Sequence, residues 1–471
     1  MMGRHSRLAA TLALALAGCA MGPDYERPAI ETPAAYKEAG TWKIAQPSDT
    51  LPRGPWWTIF GDPVLDALIA QVEVSNQNVR AAEAQFRQAS AAAAGARAGL
   101  FPTLAAAAGS TRSQASAPNT GTQIAATNYR ITLSAAWEID VWGRIRRVAE
   151  SGEANAMASE ADLAGALLSA QAVLVQDYLA LRIVDAQKRV YDETVAAYGR
   201  TLQLTKNRYG AGVAGRSEVV QAEAQLLSAR AKGIDLAAQR GQLEHAIALL
   251  VGKAPASFSL PPNDSYPTAP DVPLAVPSAL LERRPDVAAA ERRVASANAL
   301  VGAATAAFFP TLDLSASGGF GGPSITDWFS LPFRYWSLGP SIALSVFDAG
   351  LKRSQSDQAI AAYDHAVASY RQTALAAMVD VEDNLVALRV LGEESLVQQE
   401  ALKSARESVT LALNQYKAGT VSYLAVVILQ ANAFSEELSA LAIRNRQLAA
   451  SVGLVRALGG GWIAPSGNAW R

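Results

Sequence analysis

The feature that most constrains the fold of this 471-residue chain is an internal repeat of about half its length. The sequence Phe101-Pro102-Thr103-Leu104 returns 208 residues later as Phe309-Pro310-Thr311-Leu312. After one deleted residue the offset becomes 207 and stays so. A register held over such a length predicts two copies of one structural unit, at residues 62–252 and 278–460. Pairs that match at an offset of 207 include Gly143 with Gly350, Asn207 with Asn414, Tyr209 with Tyr416, Gly212 with Gly419 and Gly252 with Gly459.

Each copy has the same order of elements, and most of them are predicted to be helical. In the first copy, residues 62–100 contain no proline after Pro63 and are rich in Ala, Gln, Glu and Arg, which predicts a single helix. The stretch from Gly143 to Arg208 lacks proline and repeats apolar residues at steps of three and four. It predicts a helix of about 100 Å, since each residue adds ~1.5 Å. A glycine-rich turn and a helix at about 217–251 complete the copy.

Between its first helix and its long helix, each copy alternates apolar and polar residues with the period of a β-strand. This pattern predicts a β-hairpin at about 103–141 and another at about 311–347, each with one apolar face. The alternative interpretation is a soluble β-sandwich, whose strands alternate in the same way. The apolar positions are Tyr129, Ile131, Leu133, Ala135, Trp137, Ile139 and Val141 in the first copy, and Trp336, Leu338, Ile342, Leu344 and Val346 in the second.

Four strands are too few to close a cylinder, because even small barrels need about eight. In a bilayer, open strand edges cost several kcal/mol for each unpaired backbone group. A pair of membrane hairpins therefore requires further copies of the chain to close it. The polar face would then line a water-filled lumen. Its members in the first copy are Arg130, Thr132, Ser134, Glu138 and Asp140.

The N-terminal residues have the three parts of an export signal. Two arginines precede the apolar run Leu8–Ala17, which is too short to span a bilayer. The run ends in Leu16-Ala17-Gly18-Cys19, which resembles a bacterial lipoprotein box. The resemblance implies removal of residues 1–18, acylation of Cys19 and, with Ala20 after the cysteine, sorting to the outer membrane. The alternative is a soluble signal peptide followed by a small buried thiol.

Charge and cysteine content exclude several classes of protein. The 41 Lys and Arg residues oppose 42 Asp and Glu residues, so the chain lacks the basic surface that a nucleic-acid partner needs. Its one cysteine cannot form a disulfide within the chain. Residues 19–61 are predicted to be an extended N-terminal segment, and residues 461–471 a C-terminal tail. The seven prolines of residues 253–277 predict an extended linker between the two copies.

Motifs spread over the whole mature chain occur in the order found in a known family. They are the Leu-Ala-Gly-Cys box, Gly22-Pro23-Asp24-Tyr25, Trp56-Trp57, Trp137-Glu138-Ile139-Asp140-Val141-Trp142-Gly143-Arg144, Leu280-Leu281-Glu282-Arg283-Arg284-Pro285-Asp286 and Ala457-Leu458-Gly459-Gly460-Gly461-Trp462. Together they resemble the lipoprotein (OprM/NodT-type) branch of the TolC-like outer-membrane efflux proteins. The resemblance implies a mainly α-helical homotrimer, in which a twelve-stranded β-barrel in the outer membrane continues as a long periplasmic α-helical barrel.

The resemblance also implies a function and partners. The chain is expected to be the exit duct of a tripartite efflux pump, passively conducting substrates from a periplasmic adaptor and a proton-driven inner-membrane transporter. The exit channel of a type I protein secretion system is one alternative. A periplasmic coiled-coil adaptor or scaffold is another, although it has no use for alternating apolar strands. No cofactor is expected apart from the covalent lipid on Cys19.

The glycine turns at about 209–216 and 416–422 match the tips of the family's helical hairpins. Gly212 and Gly419 are expected to adopt positive φ there, which reverses the chain. The resemblance further implies that both tips dock the adaptor. The residues assigned to docking are Gly212, Val213, Ala214, Gly419, Thr420 and Val421.

Candidate pore residues follow the two tips. Leu424 and Ile428 are one helical turn apart on one face, where relatives place an apolar ring and an acidic ring. Ile428 has no carboxylate, so an apolar constriction is expected in place of a charged gate. Arg216 and Glu218 are candidate pore charges in the first copy. The alternative is that they are solvated charges at a helix end.

An enzyme is not expected. The motif Gly210-x-Gly212-x-x-Gly215 matches a dinucleotide fingerprint, but it follows a helix, whereas the fingerprint follows a strand. His245 and His365 lie in helical segments without a second ligand at metal spacing. The sequence therefore predicts no catalytic residue and no metal site.

Overall fold

The computed structural model describes residues 21–31, 33, 35–39, 55–116, 123–263 and 283–460. The predicted signal peptide, Cys19, the C-terminal tail and most of the proline-rich linker lie outside these residues. The described chain forms seven α-helices and four β-strands. They are α1 (Pro63–Ser75), α2 (Gln77–Ala98), β1 (Thr103–Ser116), β2 (Gln123–Glu138), α3 (Arg144–Gly210), α4 (Arg216–Leu250), α5 (Pro285–Ala306), β3 (Thr311–Gly322), β4 (Arg334–Ala343), α6 (Leu351–Ala418) and α7 (Tyr423–Ala457).

The chain divides into two compact units, each assembled from both copies of the repeat. One, the sheet unit, contains all four strands and the helix ends that adjoin them. The other, the helical unit, contains both glycine turns and the helices that meet there. The sheet unit comprises Met1–Ala29, Gln85–Ser159 and Ala289–Arg371, and the helical unit comprises Ile30–Ala84, Glu160–Ala288 and Gln372–Arg471.

The four strands form one antiparallel sheet in the order β1-β2-β3-β4. Its register aligns the predicted apolar positions on one face, where Leu133 lies opposite Ala106 and Gly318, and Gly318 lies opposite Trp336. Residues directly opposite each other point to the same face. The neighbouring row, on the other face, is Ala105, Ser134, Ser317 and Ser337. The sheet therefore has one apolar face, one mainly polar face and two open edges, β1 and β4.

The single helix predicted for residues 62–100 is wrong, because the chain breaks at Asn76. Asn76 has the extended dihedral angles φ −67° and ψ 122°. Its Oδ1 accepts hydrogen bonds from the backbone N–H groups of Asn78 (2.9 Å) and Val79 (3.1 Å), which caps α2. Its Nδ2 donates to the carbonyl oxygen of Leu250 at the end of α4 (2.8 Å). A buried asparagine with these partners stabilises a break that composition alone does not reveal.

Two predicted strand ends also need correction. β4 ends at Ala343, short of residue 347, because its partner β3 begins at Thr311 and the two residues face each other. β2 ends at Glu138, short of Val141. Asp140 beyond it caps α3, since its carboxylate accepts from the N–H groups of Ile145 (3.0 Å) and Arg146 (2.8 Å).

The core of the helical unit contains a buried ionic network. Arg182, 2% exposed, donates to Asp185 Oδ2 (3.1 Å), the Tyr178 hydroxyl (3.0 Å) and the carbonyl oxygen of Pro261 (2.9 Å). Arg240 donates to the other carboxylate oxygen of Asp185 (2.8 Å). The buried charge is tolerated because Asp185 opposes it and both terminal nitrogens of the guanidinium donate hydrogen bonds, although its Nε has no partner. The network holds the start of the linker between the copies against α3 and α4.

Glu244 extends this network to the backbone of the linker. Its Oε1 accepts from the N–H of Leu260 (2.5 Å) and its Oε2 lies 3.2 Å from Arg240 Nη1. Burial alone raises the pKa of Glu244. The hydrogen bond from Leu260 and the charge of Arg240 outweigh that effect and hold the pKa below its ordinary value of 4.5.

The lowered pKa of Glu244 predicts an acid-sensitive contact. A carboxyl whose pKa is lower in the folded state stabilises that state above its unfolded pKa, and the contribution is lost as the pH falls through the folded value. We expect the Leu260 amide of Glu244→Gln to exchange hydrogen faster than wild type at pH 7, with the difference shrinking below about pH 4. Hydrogen exchange read by mass spectrometry checks this, and equal protection at pH 7 would contradict it.

Candidate functional site

The two glycine turns of the helical unit have the same geometry. α3 ends at Gly210 and α4 begins at Arg216; α6 ends at Ala418 and α7 begins at Tyr423. We call residues 209–216 tip 1 and residues 416–422 tip 2. Both were predicted from the repeat, and both reverse the chain between a long helix and a short one.

A left-handed glycine ends the long helix at each tip. Gly212 has φ 76° and Gly419 has φ 80°. The N–H of Gly212 donates to the carbonyl oxygen of Tyr209 (3.0 Å), and that of Val213 to Arg208 (3.0 Å). Gly419 and Thr420 repeat the pattern in tip 2. This is the Schellman arrangement, in which a residue of positive φ satisfies the last carbonyl groups of a helix.

An aromatic cluster joins the two tips within the chain. Tyr416 and Tyr423 are 1% and 2% exposed, and their rings lie 5.7 Å apart. They pack with Leu202 and Ala222 of the first copy and with Val426 and Val427 of the second. The sequence already paired Tyr416 with Tyr209, but Tyr209 is 48% exposed. The same repeat position is therefore buried in one tip and exposed in the other.

Polar contacts of Tyr416 strengthen the link between the tips. The Arg208 guanidinium stacks on its ring at 4.5 Å and donates to its carbonyl oxygen (2.7 Å). The Tyr416 hydroxyl donates to Glu218 Oε2 (3.1 Å). Burial raises the pKa of Tyr416 above its ordinary value of 10.0, so the hydroxyl stays protonated at neutral pH. We call Arg208, Tyr416 and Glu218 the tip lock.

The candidate pore residues of α7 lie on its uncovered face. Leu424 and Ile428 are 53% and 51% exposed, whereas Tyr423, Val426 and Val427 beside them are buried. Both side chains therefore point away from the protein core on the same side of the helix, as their spacing predicted.

The two candidate pore charges differ in environment. Arg216 is exposed, whereas Glu218 is half-buried and accepts the hydrogen bond from Tyr416. Glu218 therefore belongs to the tip lock. Sequence reasoning missed Arg208 and Tyr423 as partners of Tyr416, because their repeat counterparts, Gln415 and Arg216, have different chemistry.

The exposed docking residues lie at the ends of the tips. Val213 is 63% exposed, and Gly212, Gly419 and Thr420 are exposed too. Ala214 and Val421 are half-buried, and Val421 packs against the aromatic cluster. An apolar side chain presented at a turn of this kind is available to a partner.

The segment that follows Cys19 is held against the sheet unit. The N–H of Met21 donates to the carbonyl oxygen of Trp142 (3.0 Å), and Arg147 pairs with Asp24 (3.2 Å). A side chain at Gly22 would meet the backbone of Gly302 at 2.3 Å, so only glycine fits there. Cys19 itself lies outside the described residues.

Within the described residues, no three His, Cys, Asp or Glu side chains are placed to hold a metal ion. His245 and His365 are exposed. Gly210, Gly212 and Gly215 of the fingerprint-like motif lie at the end of α3 and the start of α4. The three glycines therefore connect one helix to another, whereas a dinucleotide site requires a strand before the turn.

Comparison with known proteins identifies the class of protein that combines such a sheet with such tips. The family described as outer membrane efflux protein matches residues 68–253 and 276–460, one stretch for each copy of the repeat. The fold is similar to that of the outer-membrane channel OprN, with a TM-score of 0.88 and 31% identity, covering 94% of this chain and 100% of that one. The open-state MtrE outer membrane channel of Neisseria gonorrhoeae gives a TM-score of 0.84 and 28% identity, covering 95% of this chain and 99% of that one.

Two relatives have similar sequences over nearly their full length. The toluene efflux pump outer membrane protein TtgC of Pseudomonas putida is 30% identical over 465 residues, covering 98% of this chain and 96% of the relative. The pyoverdine export outer membrane protein OpmQ of Pseudomonas aeruginosa is 32% identical over 459 residues, covering 95% of each. The chain belongs to the outer membrane efflux protein family. It is an outer-membrane channel protein with the TolC-like combination of β-barrel and α-helical barrel, which confirms the predicted fold class and localisation.

The glycine at tip 1 allows a test of its backbone role. A Cβ on Gly212 would meet no atom within 4 Å, so Gly212→Ala adds only the strain of a left-handed residue, about 1–2 kcal/mol. We expect faster hydrogen exchange at the Val213 amide, which bonds across this turn. Gly199 inside α3 also has open space, and Gly199→Ala should stabilise its helix by about 0.5–1 kcal/mol. Effects of the same sign in both variants would refute this explanation.

Proposed function

We propose that three copies of this chain close into one channel, the exit duct of a tripartite efflux pump, which conducts substrates passively from a periplasmic adaptor and an inner-membrane transporter. The observation that carries the proposal is a mismatch in burial between the two copies of the repeat. Apolar stripes that pack together inside the chain are exposed at the corresponding positions of the other copy.

Inside the chain, a stripe on α3 packs with a stripe on α7, and we call this contact the inner seam. Both stripes repeat every seven residues, the spacing of a coiled coil. Across the seam the Tyr191 and Phe434 rings lie 4.9 Å apart, and Gln430 Nε2 donates to Thr201 Oγ1 (3.3 Å). The stripe residues are Ile183, Val190, Ala197 and Leu204 on α3, and Val427, Phe434, Leu441 and Leu448 on α7.

Seven of the eight repeat counterparts of these residues are exposed, and Gly241 is half-buried. Val190 is 7% exposed and its counterpart Val397 is 72% exposed; Leu441 is 7% exposed and its counterpart Ile234 is 73% exposed. Six of the eight are large apolar side chains, and monomeric proteins rarely leave apolar patches of this kind in water. The counterpart stripes are Val390, Val397, Ser404 and Leu411 on α6, and Val220, Leu227, Ile234 and Gly241 on α4.

The stripes on α6 and α4 have the same seven-residue spacing as the stripes of the inner seam, so they can pack against each other in the same way. Within one chain, however, they lie on different surfaces. We therefore assign them to an outer seam, in which α6 of one copy packs against α4 of the next. A contact of this head-to-tail kind generates a ring when the rotation closes. The open strand edges β1 and β4 would pair around the same ring, which supplies the hydrogen bonds that a membrane requires. Three copies give twelve strands, the number that the family resemblance implies.

In such a ring the tips would form the periplasmic end of the duct. Leu424 and Ile428 then provide an apolar constriction, and the tip lock holds the two hairpins of each chain together. Opening requires the inner helices near the tips to rearrange. Tip residues Gly212, Val213, Ala214, Gly419, Thr420 and Val421 would dock the adaptor, and the acyl chains on Cys19 would hold the duct to the outer membrane.

We assign the energy supply and the choice of cargo to the transporter, because the sequence predicts no catalytic residue and no nucleotide site in this chain. The relatives support small-molecule cargo over secreted polypeptides, since one is named for toluene efflux and another for pyoverdine export. Their different cargoes, on chains of the same fold, are consistent with selection upstream of the duct.

Cross-linking tests the outer seam. The counterparts of Thr201 and Gln430 are Ser408, which is half-buried, and Glu223, which is exposed. In a chain with Glu223→Cys and Ser408→Cys, a short bismaleimide should link neighbouring copies into covalent dimers and trimers on a denaturing gel. The matched pair Thr201→Cys and Gln430→Cys lies across the inner seam and should link only within one chain. Absence of larger products from the first pair, with efficient reaction of the second, would refute the outer seam.

Conductance tests the constriction. The purified protein in planar bilayers should show low conductance that rises in Leu424→Ala and in Ile428→Ala, because smaller side chains widen an apolar narrowing. Leu249→Ala is the control, since Leu249 is 75% exposed at the far end of α4. Unchanged conductance in both tip variants would remove Leu424 and Ile428 from the gate.

A further inference from the structure

We propose that the β3–β4 connection, residues 323–333, is a lipid-facing wedge that inserts Ile325, Phe329 and Leu331 among the acyl chains of the outer leaflet, with Arg334 bound to the phosphates of its lipids. The inference rests on the proposed barrel, because it needs the apolar face of the sheet to contact lipid. It assigns a surface to a segment that sequence reasoning treated only as part of a hairpin.

The connection is longer than a reverse turn and has regular structure of its own. Ser324 and Asp327 cap a 3-10 turn at Ile325–Asp327 reciprocally, and a second turn follows at Leu331–Phe333. Between them Phe329 adopts φ 69°, which costs a non-glycine residue about 1–2 kcal/mol. The chain accepts this strain in a residue whose side chain is 71% exposed. Exposure to water alone gives no compensation for it.

The connection folds onto the apolar face of the sheet. Phe320 lies on that face, opposite Ile131 of β2, and its ring is 5.5 Å from the ring of Phe329. Gly322 points to the same face, two residues further along β3. A Cβ there would meet Asp327 at 3.0 Å and Phe333 at 3.1 Å. The connection therefore covers the end of the apolar face and leaves the polar face open.

The outer surface of the connection continues the apolar face. Ile325 is 58% exposed and Leu331 is 70% exposed, beside Phe329. Along β4, Trp336, Leu338 and Ile342 extend the same apolar surface, each more than 60% exposed. Apart from Arg334 this band is apolar, and it has aromatic residues near its end, which is the pattern of a surface that contacts lipid. It fits acyl chains better than a polar partner.

The end of the band carries positive charge. Arg334 begins β4 and lies opposite Phe320, on the apolar face. Arg112 of β1 lies on that face too, opposite Thr127. Both side chains are exposed, and in the described structure neither forms an ion pair. A guanidinium binds phosphate oxygens through two hydrogen bonds, so a cation next to apolar side chains fits an anionic lipid head group.

Nitroxide labels would locate the wedge. The trimer carrying Leu331→Cys would be labelled and placed in vesicles of phosphatidylcholine and lipopolysaccharide. We expect the label to collide readily with oxygen, which dissolves in lipid, and rarely with a water-soluble nickel chelate. A label at Ser337→Cys, on the polar face, should show the opposite preference. The unsubstituted chain measures any labelling of Cys19.

A third label separates failure of the wedge from failure of the barrel. Leu338→Cys reports the apolar face of β4 itself. If position 338 lies in lipid while position 331 reacts with nickel, the wedge is wrong and the barrel stands. If position 331 is shielded from both reagents, a neighbouring copy covers the loop and the wedge is wrong. If position 338 reacts with nickel, the proposed barrel fails.

A separate experiment tests the proposed contact between Arg334 and lipid phosphates. Lipopolysaccharide added to the detergent-solubilised trimer should raise its unfolding temperature, and Arg334→Gln should reduce that shift to less than half. Arg353→Gln, an exposed arginine of α6, should leave the shift unchanged. An equal shift in all three proteins would show that Arg334 does not bind the phosphates.

Discussion

The open strand edge is the constraint on which the rest of this structure depends. Inside a membrane no water is available to pair with free N–H and C=O groups, so a four-stranded sheet with an apolar face cannot exist there alone. β1 and β4 leave such edges. The proposed ring removes these edges by pairing β1 of one chain with β4 of the next. The internal repeat favours such a ring, because the contact between the two repeat copies of one chain is an example of the contact that is needed between neighbouring chains.

The parts of the fold that follow from local chemistry were predictable from the sequence. The phase of β2 and β4 follows from period-two alternation, and the tips follow from glycines that repeat at a fixed offset. Contacts between distant residues could not be predicted in this way. Asn76 breaks a helix through a bond to Leu250, and Tyr416 is buried while its repeat partner Tyr209 is exposed. In both cases the sequence shows the residue but not the surface that it meets.

The 323–333 connection shows a different limit. Its prolines and serines predict a turn, and turns are ordinarily assigned to water. Only the register of β3 with β4 shows that Phe320 and Gly322 face the apolar side, and only the contacts of Phe329 and Phe333 show that the connection lies over them. Local composition is ambiguous here, because a short apolar loop can cover a core, bind another chain or contact lipid.

The two copies of the repeat are alike in shape and unlike in chemistry at the tips. Beside the inner seam lies the tip lock, which joins α3 and α4 to α6: a cation stacks on Tyr416, and a carboxylate accepts a hydrogen bond from its hydroxyl. Hydrogen bonds to charged groups are stronger than those between neutral groups. The counterparts of Arg208, Tyr416 and Glu218 are Gln415, Tyr209 and Ala425. In the proposed ring, the outer seam has apolar stripes like those of the inner seam but lacks the charged partners of the tip lock, so we expect the contact between chains to be weaker than the contact within each chain.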